Sequence, residues 1–494
     1  MIDSTKSEKQ SSHEFKRELG LFDSTMIVVG SMIGSGIFIV SADMSRILGS
    51  SGYLLLVWLI TGIITLIGAL AYGELAAMMP FAGGQYVYIR EAYNPLMGFL
   101  YGWTLFLVIQ TGTIAAVAVA FAKYTSVLIP WFSTKNILLE LFGLKISAGQ
   151  LLAIVSVLVL TTININGLKE GKVVQNIFSV AKMIALLGLI ILGLIIGANA
   201  NVIAANFSNM WSPAKIHLAN GVIDHIEQLA GFAVVAAIGT AMVGSLFASV
   251  AWENITFIAA EIKNPKKVLP WSLFLGTMIV TILYILANVS YLFVLPLVGN
   301  PAAADISGAG IQFAAEDRVA TAAAHFIFGD VAVTVMAVLI MISTFGCNNG
   351  LILAGARVYY AMAKDKLFFA ATGELNKKSV PAKALWFQAA WVSVLCLSGT
   401  YGQLLDYVVC TVLVFYTLTI IGVFILRKRQ PDAERPYKTF GYPLVPALYI
   451  FLATSISVIL LIYKPDFTWP GLIIVLLGVP VYFIWNRKDG KSLA

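Results

Sequence analysis

The chain has 494 residues, of which 59% are hydrophobic and 12% are charged, with a net charge of +7 and a mean hydropathy of +0.87. Soluble domains carry about twice that fraction of charged residues, so a soluble globular protein is excluded. Three cysteines in apolar segments and four unclustered histidines exclude a disulfide framework in the loops and disfavour a metal site. We therefore expect neither a metal nor a cofactor.

Windows of ~20 apolar residues predict twelve membrane spans, so the fold class is an all-α polytopic membrane protein. Lys and Arg concentrate in the loops on one side, which predicts that both termini are cytoplasmic. The net charge reflects this topology and not nucleic-acid binding. The predicted spans cover 25–47, 53–79, 96–129, 149–166, 174–198, 229–258, 271–296, 325–361, 385–400, 404–426, 445–463 and 468–486.

Span 1 contains three glycines, Gly30, Gly34 and Gly36, within a single apolar run. Each weakens helix propensity by roughly 1 kcal/mol relative to Ala, so we expect a break between 33 and 38. Unwound backbone is tolerated in a membrane only where it lines a cavity or is buried in protein. The free N–H and C=O groups at such a break suit the two ends of a zwitterion. The alternative is close helix packing through small residues.

Span 2 ends with Glu74, close to the cytoplasmic boundary. A carboxylate costs less there than at the middle of the bilayer. Its role is either a hydrogen bond at the interface, which we favour, or a conformational switch.

Span 5 carries Lys182 about 12 Å from the start of the predicted helix, too deep for the ammonium to reach water easily. A charge at that depth is costly by roughly 2.5–3.5 kcal/mol. We expect Lys182 to face the bundle interior and to meet carbonyl groups or a carboxylate. This favours a functional role over that of a purely structural cation.

Span 6 is interrupted near its middle by Glu253 and Asn254. Polar residues at that depth predict a functional site. The glycines of this span, Gly239 and Gly244, lie only upstream, so the evidence for a break is weaker than in span 1.

Span 8 contains Asn348 and Asn349 amid apolar residues. These amides either line a polar cavity or hydrogen-bond a neighbouring helix. The sequence does not choose between the two.

The two interrupted spans lie five spans apart, and an odd number of crossings inverts the second unit. This spacing predicts two five-helix repeats of opposite orientation with a shared site at mid-membrane. The predicted organisation is a cytoplasmic tail at 1–20, repeats at 21–200 and 201–430, and two peripheral helices with the C-terminus at 431–494.

Taken together, these motifs resemble the amino acid–polyamine–organocation transporter superfamily, and within it the L-type amino acid transporters and their bacterial relatives. The resemblance runs from about 17 to 446. The matching segments are 30–38, 72–75, 83–86, 174–176, 181–182, 252 with 261–265, 345–346, 349–350, 435–438 and 441–444.

The resemblance implies the 5+5 inverted-repeat architecture of the LeuT-like fold and alternating access around an amino acid. By the family pattern, N–H groups near Ser35 and Gly36 hold the substrate carboxylate, and Phe247 is the aromatic gate. Lys182 matches the lysine that replaces the sodium ion of sodium-coupled relatives, and Asn349 belongs to the coupling region. The carbonyls implied for the substrate ammonium are those of Met32, Ile33, Phe247, Ala248 and Val250.

Three departures from the pattern affect these expectations. Val250 and Ala251 stand where the family has glycines, which either shifts the unwinding or narrows the pocket. Glu253 resembles the glutamate of arginine–agmatine and polyamine exchangers; it recognises a cation, senses a proton or pairs with a neighbouring helix. The outer loop 130–147 has no cysteine, so no heavy-chain partner is expected.

The sequence therefore predicts a sodium-independent exchanger of neutral L-amino acids in a bacterial-type inner or plasma membrane. The alternatives are a proton-coupled importer, an exchanger of cationic amino acids or polyamines, and a transporter-like sensor. A channel would need polar rings at matched depths, which the isolated ionisable residues do not provide. An enzyme is disfavoured because no catalytic grouping lies at a plausible depth.

Overall fold

The computed structural model describes residues 15–141, 144–219, 222–303, 305–398 and 401–488. The described chain is almost entirely helical, as the sequence predicts. Its α-helices are α1 Leu21–Met32, α2 Gly36–Ile39, α3 Ser41–Leu48, α4 Ser51–Met78, α5 Gln85–Ala92, α6 Pro95–Thr104, α7 Gln110–Leu128, α8 Ala148–Ile165, α9 Leu168–Ile195, α10 Ala200–Phe207, α11 Phe232–Ala248, α12 Asn254–Phe257, α13 Pro265–Val294, α14 Ile306–Ala309, α15 Val319–Phe328, α16 Asp330–Lys364, α17 Ala382–Ser398, α18 Tyr401–Arg429, α19 Leu444–Tyr463 and α20 Pro465–Lys488.

Two β-hairpins lie between predicted spans, and neither was predicted from the sequence. Strand β1 (Ile137–Leu141) pairs with β2 (Leu144–Ser147), and β3 (Ala214–Ala219) pairs with β4 (Val222–Gln228), both antiparallel. The remaining short elements are a π-helical turn at Leu105–Ile109 and 3-10 turns at Pro130–Phe132, Ala259–Glu261, Ala315–Asp317 and Ala370–Gly373.

Ten helical segments of the described chain are long and apolar enough to cross a membrane. The other two predicted spans, 6 and 9, correspond to the shorter apolar helices Phe232–Ala248 and Ala382–Leu397. The prediction of an all-α polytopic membrane protein is confirmed. Helix α9 begins at Leu168 and not near 174, which moves Lys182 towards the middle of this helix.

Both predicted breaks are present, and they lie in the centre of the bundle. Helix α1 stops at Met32 and the chain resumes as a helix at Gly36, while α11 stops at Ala248 and α12 starts at Asn254. Helix α1 packs against α9, α13 and α16, and α11 packs against α3, α4 and α18. The breaks are therefore surrounded by helices.

The N-terminal segment is bound to the chain that follows span 6. The backbone N–H groups of Glu18 and Leu19 donate to the carbonyl of Glu261 at 2.9 and 3.1 Å, and Lys263 N donates to Leu19 O at 2.9 Å. Residues 1–14 of the predicted tail lie outside the described residues. The end of that tail is thus attached beside α12.

Candidate substrate site at the two helix breaks

The first break begins where Ile33 leaves the helical conformation. Ile33 has φ −75° and ψ 89°, and Gly34 N donates back to Met32 O at 2.9 Å. Helix α2 continues through Val40, whose conformation is helical, into α3. The first amides of this helical stretch have no intrahelical acceptor, because the first turn of any helix leaves its N–H groups open. The predicted break in span 1 is therefore confirmed.

Lys182 occupies the carbonyl end of that break. Its Nζ donates to Gly30 O at 2.5 Å and to Ile33 O at 2.7 Å, and lies 3.5 Å from Ser343 O on α16. The side chain is 1% exposed. A buried ammonium is costly unless its protons are hydrogen-bonded, and these carbonyls supply the acceptors. The expectation that Lys182 meets carbonyl groups in the bundle interior is confirmed.

Side chains from α16 hold the same segment from a second direction. Ser343 Oγ lies 3.2 Å from Ile33 O and 3.1 Å from Gly34 O, and Cys347 Sγ lies 3.0 Å from Ser31 O. Since an unpaired buried carbonyl costs about 1–3 kcal/mol, these bonds are what make an unwound segment tolerable here. These contacts of Ser343 and Cys347 could not be predicted, because a serine and a cysteine in an apolar helix carry no distinctive sequence signal.

Tyr284 connects the two breaks. Its hydroxyl lies 2.9 Å from Met32 O at the end of α1 and 2.9 Å from Ala248 O at the end of α11. A hydroxyl has one proton, so it donates to one of these carbonyls at a time. No sequence signal singled out this residue, because a tyrosine in the middle of α13 fits an ordinary buried span.

The second break is made without glycine. The chain leaves α11 at Ala248, and Ala251 has φ 69°, a left-handed conformation that glycine adopts more readily. Asn254 N then donates to Ala251 O at 3.3 Å, where the chain turns into α12. The unwinding therefore survives the replacement of the family's glycines by Val250 and Ala251.

The two breaks touch each other at Gly36 and Ala248. A β-carbon placed on Gly36 would lie 2.7 Å from Ala248 Cβ and 2.9 Å from Ala248 Cα. Only glycine allows this approach. The structure thus brings together, all buried, the predicted substrate residues Met32, Ile33, Ser35, Gly36, Phe247, Ala248 and Val250.

Glu253 lies at the end of the second break and pairs with a neighbouring helix. Tyr416 of α18 donates its hydroxyl to Glu253 Oε2 at 2.5 Å, and the carboxylate is buried. The rings of Tyr72, Trp252 and Tyr416 pack together with centroids 4.7 to 5.8 Å apart. The contact to Tyr416 matches the third of the alternatives for this residue, pairing with a neighbouring helix.

Asn349 lies where three helices meet, beyond the first break. Its amide donates to Gly171 O at 3.0 Å and to Gln175 Oε1 at 3.2 Å, and it accepts from Asn164 at 2.9 Å. These bonds link α16 to α8 and α9. Asn349 therefore joins helices, and its coupling role stays a prediction.

Within the described residues, no group of three or more His, Cys, Asp or Glu side chains is arranged to hold a metal ion. The site is built instead from backbone dipoles, one lysine and hydroxyl groups. Such an arrangement suits a small polar molecule.

A family model described as amino acid permease matches residues 19–484 of this sequence. The match spans both breaks and every predicted substrate residue. The chain belongs to the amino acid permease family. The resemblance drawn from the motifs is confirmed, as is the conclusion that the protein is a membrane transporter and not an enzyme.

Characterised members of this family align with nearly the whole chain. The mouse protein named large neutral amino acids transporter small subunit 2 is 30% identical over 96% of this chain and 82% of its own length. The serine/threonine exchanger SteT of Bacillus subtilis is 30% identical over 96% of this chain and 98% of its own. The human b(0,+)-type amino acid transporter 1 is 28% identical over 99% of this chain and 93% of its own.

Proposed function

We propose that this permease exchanges neutral L-amino acids across the membrane by alternating access, without sodium. The observation that carries the proposal is the position of Lys182, whose ammonium is bonded to the carbonyls of Gly30 and Ile33 at the first break. A sodium ion placed at a helix C-terminal end is held by such carbonyls. A fixed ammonium supplies the same +1 charge permanently, so the binding of a coupling ion becomes unnecessary.

The substrate's two charged ends are the features that the breaks recognise. The amides at Ser35 and Gly36 begin the helix α2–α3, and the positive end of a helix favours a carboxylate. The carbonyl of Phe247 lies in the last turn of α11 and that of Val250 in the unwound segment that follows, where an ammonium would find acceptors. This arrangement recognises the carboxylate and the ammonium group that all amino acids share, while the substrate's side chain faces the surrounding helices.

Two features support neutral and small substrates. Glu253 already accepts a hydrogen bond from Tyr416, so its carboxylate is engaged within the protein. Val250 and Ala251 add side chains where the family has glycines and reduce the space at the break. The names of the relatives SteT and large neutral amino acids transporter small subunit 2 agree with a neutral substrate, and the serine and threonine in the name of SteT are small.

We further propose that the chain forms two inverted repeats, 21–200 and 201–430, followed by the peripheral segment 431–494. Both termini are cytoplasmic, in a bacterial-type inner or plasma membrane, because the basic loops fall on one side. A disulfide-linked partner is not expected, since all three cysteines of the sequence, Cys347, Cys396 and Cys410, are buried within helices.

The test is counterflow in proteoliposomes. Vesicles loaded with unlabelled serine, leucine, lysine or no amino acid are placed in labelled substrate, with sodium or choline outside and with or without a pH gradient. The proposal predicts accumulation only in vesicles preloaded with a neutral amino acid, equal in sodium and choline. Accumulation driven by the pH gradient in unloaded vesicles would establish proton coupling instead, and preference for lysine would establish cationic exchange.

A further inference from the structure

A basic cavity lies at the end of α18, far along the chain from the two breaks. Its volume is about 450 Å³, and its lining residues are Arg427, Pro431, Ala433, Arg435 and Lys438. Helix α18 ends at Arg429, and the chain that follows folds back to form the wall. Pro431 and Lys438 are exposed, so the cavity opens to the protein surface.

Both arginines of this cavity are held in place by the protein. Arg427 donates through Nε and NH2 to the two carboxylate oxygens of Glu74 at 2.8 and 2.6 Å, and its guanidinium lies 3.7 Å from the ring centroid of Tyr442. Arg435 donates to the carbonyls of Leu426 and Gln430 at 3.1 and 2.8 Å. A ligand therefore meets the partly exposed guanidinium of Arg427, which loses little conformational freedom on binding, next to the nearly buried charge of Arg435.

The cavity carries an excess of positive charge. The carboxylate of Glu74, which pairs with Arg427, is 1% exposed. Its oxygens also lie 3.4 Å from Arg435 Nε and 2.7 Å from Thr439 N. The three cations that line the cavity and the carboxylate of Glu74 together give a net charge of +2. Among the described residues Lys438 Nζ has no hydrogen bond or ion pair, so its charge is available to a ligand.

Apolar side chains continue from the cavity along α19. Phe440 is 71% exposed, and Leu444, Leu448 and Phe451 on α19 are 78%, 46% and 66% exposed. The last three lie at positions i, i+4 and i+7, so they share one face of the helix. This face suits hydrocarbon chains, and it starts beside the cations.

We propose that this cavity binds the phosphate headgroup of an anionic phospholipid whose acyl chains lie along α19. Basic pockets between membrane helices on the cytoplasmic side suit anionic headgroups, and guanidinium groups bind phosphate oxygens with fixed geometry. A free phosphate ion would use the cations but not the apolar face. The combination of both therefore selects a lipid.

Such a lipid would act on the link between α4 and α18. The contact of Glu74 with Arg427 joins these helices to the loop before α19, and a ligand that binds this arrangement stabilises it by mass action. The consequence is a protein that is more stable in anionic than in zwitterionic lipid.

The test uses the purified full-length protein with short-chain phosphatidylglycerol, phosphatidylcholine or inorganic phosphate added separately. Thermal unfolding and lipid retention in native mass spectrometry are both recorded. The variants are Lys438→Gln, which removes the unpaired cation of the cavity, and Lys428→Gln as its matched control. Lys428 is also exposed and lies near the end of α18, but it does not line the cavity.

We expect phosphatidylglycerol to raise the unfolding temperature in a saturable manner and to stay bound, while phosphatidylcholine does neither. Lys438→Gln should weaken the apparent affinity by about fivefold, and Lys428→Gln should leave it unchanged. Equal effects of both lipids, or of both variants, would overturn the proposal. Full stabilisation by inorganic phosphate alone would replace the lipid with a free anion and would equally overturn it.

Discussion

The two helix breaks are built with different chemistry. The break in α1–α2 uses glycine, and its carbonyls are held by Lys182, Ser343 and Tyr284. The break after α11 contains no glycine, adopts a left-handed conformation at Ala251 and ends at Glu253. The first break is fixed by side chains from three other helices, whereas the second is fixed by its own backbone, by the hydroxyl of Tyr284 at Ala248 O and by one contact with α18.

From this difference we infer that the first break is the more rigid half of the proposed site and the second the more adaptable half. Bonds from α9, α13 and α16 converge on residues 30–34, and each would have to be broken for that segment to move. The left-handed conformation of Ala251 is less stable for an L-residue with a side chain than for glycine. We therefore expect substitutions at the first break to have larger effects than those at the second.

The largest expected effect comes from Gly36→Leu. A side chain here would overlap the backbone of Ala248, so the two breaks must separate. Substrate affinity should fall at least about a hundredfold, while the protein still inserts into the membrane. The control is Gly188→Leu, because nothing lies within 4 Å of a β-carbon at that position. Unchanged affinity in Gly36→Leu would contradict a site made of backbone at this contact.

The next effect is that of Lys182→Ala, which removes the ammonium from the buried carbonyls of Gly30 and Ile33. Charge-assisted bonds are worth about 1.5–3 kcal/mol each, so initial exchange rates should fall by about a hundredfold. No sodium dependence should appear. The control is Lys172→Ala on the same helix, whose ammonium pairs with Asp23 at 3.1 Å; its rates should fall far less. Robust exchange by Lys182→Ala in choline would refute the role of the fixed ammonium.

A smaller effect is expected for Tyr284→Phe, which removes the donor shared by Met32 and Ala248. The cost of an unsatisfied carbonyl predicts roughly a tenfold loss of apparent substrate affinity. Tyr291→Phe is the matched control, since its hydroxyl lies 3.3 Å from Ile37 O, outside both breaks. Equal losses in the two variants would mean that the contact between the breaks has no special importance.

The smallest effect is expected for Glu253→Gln at the second break. An amide keeps a hydrogen bond with Tyr416, so exchange of neutral amino acids should change by less than about threefold. Uptake of arginine and alanine is compared in this variant and in the unchanged protein. Loss of arginine uptake alone would assign Glu253 to the recognition of a cationic side chain.

The sequence was sufficient for the parts of the site that have a compositional signal. Three glycines in one span predicted the first break, and a lysine deep in a span predicted a cation inside the bundle. Tyr284, Ser343 and Cys347 could not be found in this way, because their roles depend on which face of α13 or α16 meets the break. Only the packing of those helices decides that.

The second break could be located from the sequence, but its backbone conformation could not be predicted. Polar residues 253 and 254 located it, yet no propensity rule predicts a left-handed alanine at 251, since packing imposes this conformation. The hairpins β1–β2 and β3–β4 were not predicted, because the hydropathy that locates membrane spans says nothing about the structure of the segments between them. The cavity at Arg427 was also missed, since it needs a loop to fold back onto a helix end.

The most direct test of the site is the binding of substrate analogues to the purified protein, measured by displacement of a labelled amino acid in sodium and in choline. The analogues are the carboxamide and the N-acetyl form of the same amino acid, each lacking one charged end. We expect either change to abolish binding, and we expect sodium to have no effect on the binding of the parent amino acid. Retained affinity for either analogue, or binding that requires sodium, would contradict a site in which peptide dipoles hold both ends of the substrate beside a fixed ammonium.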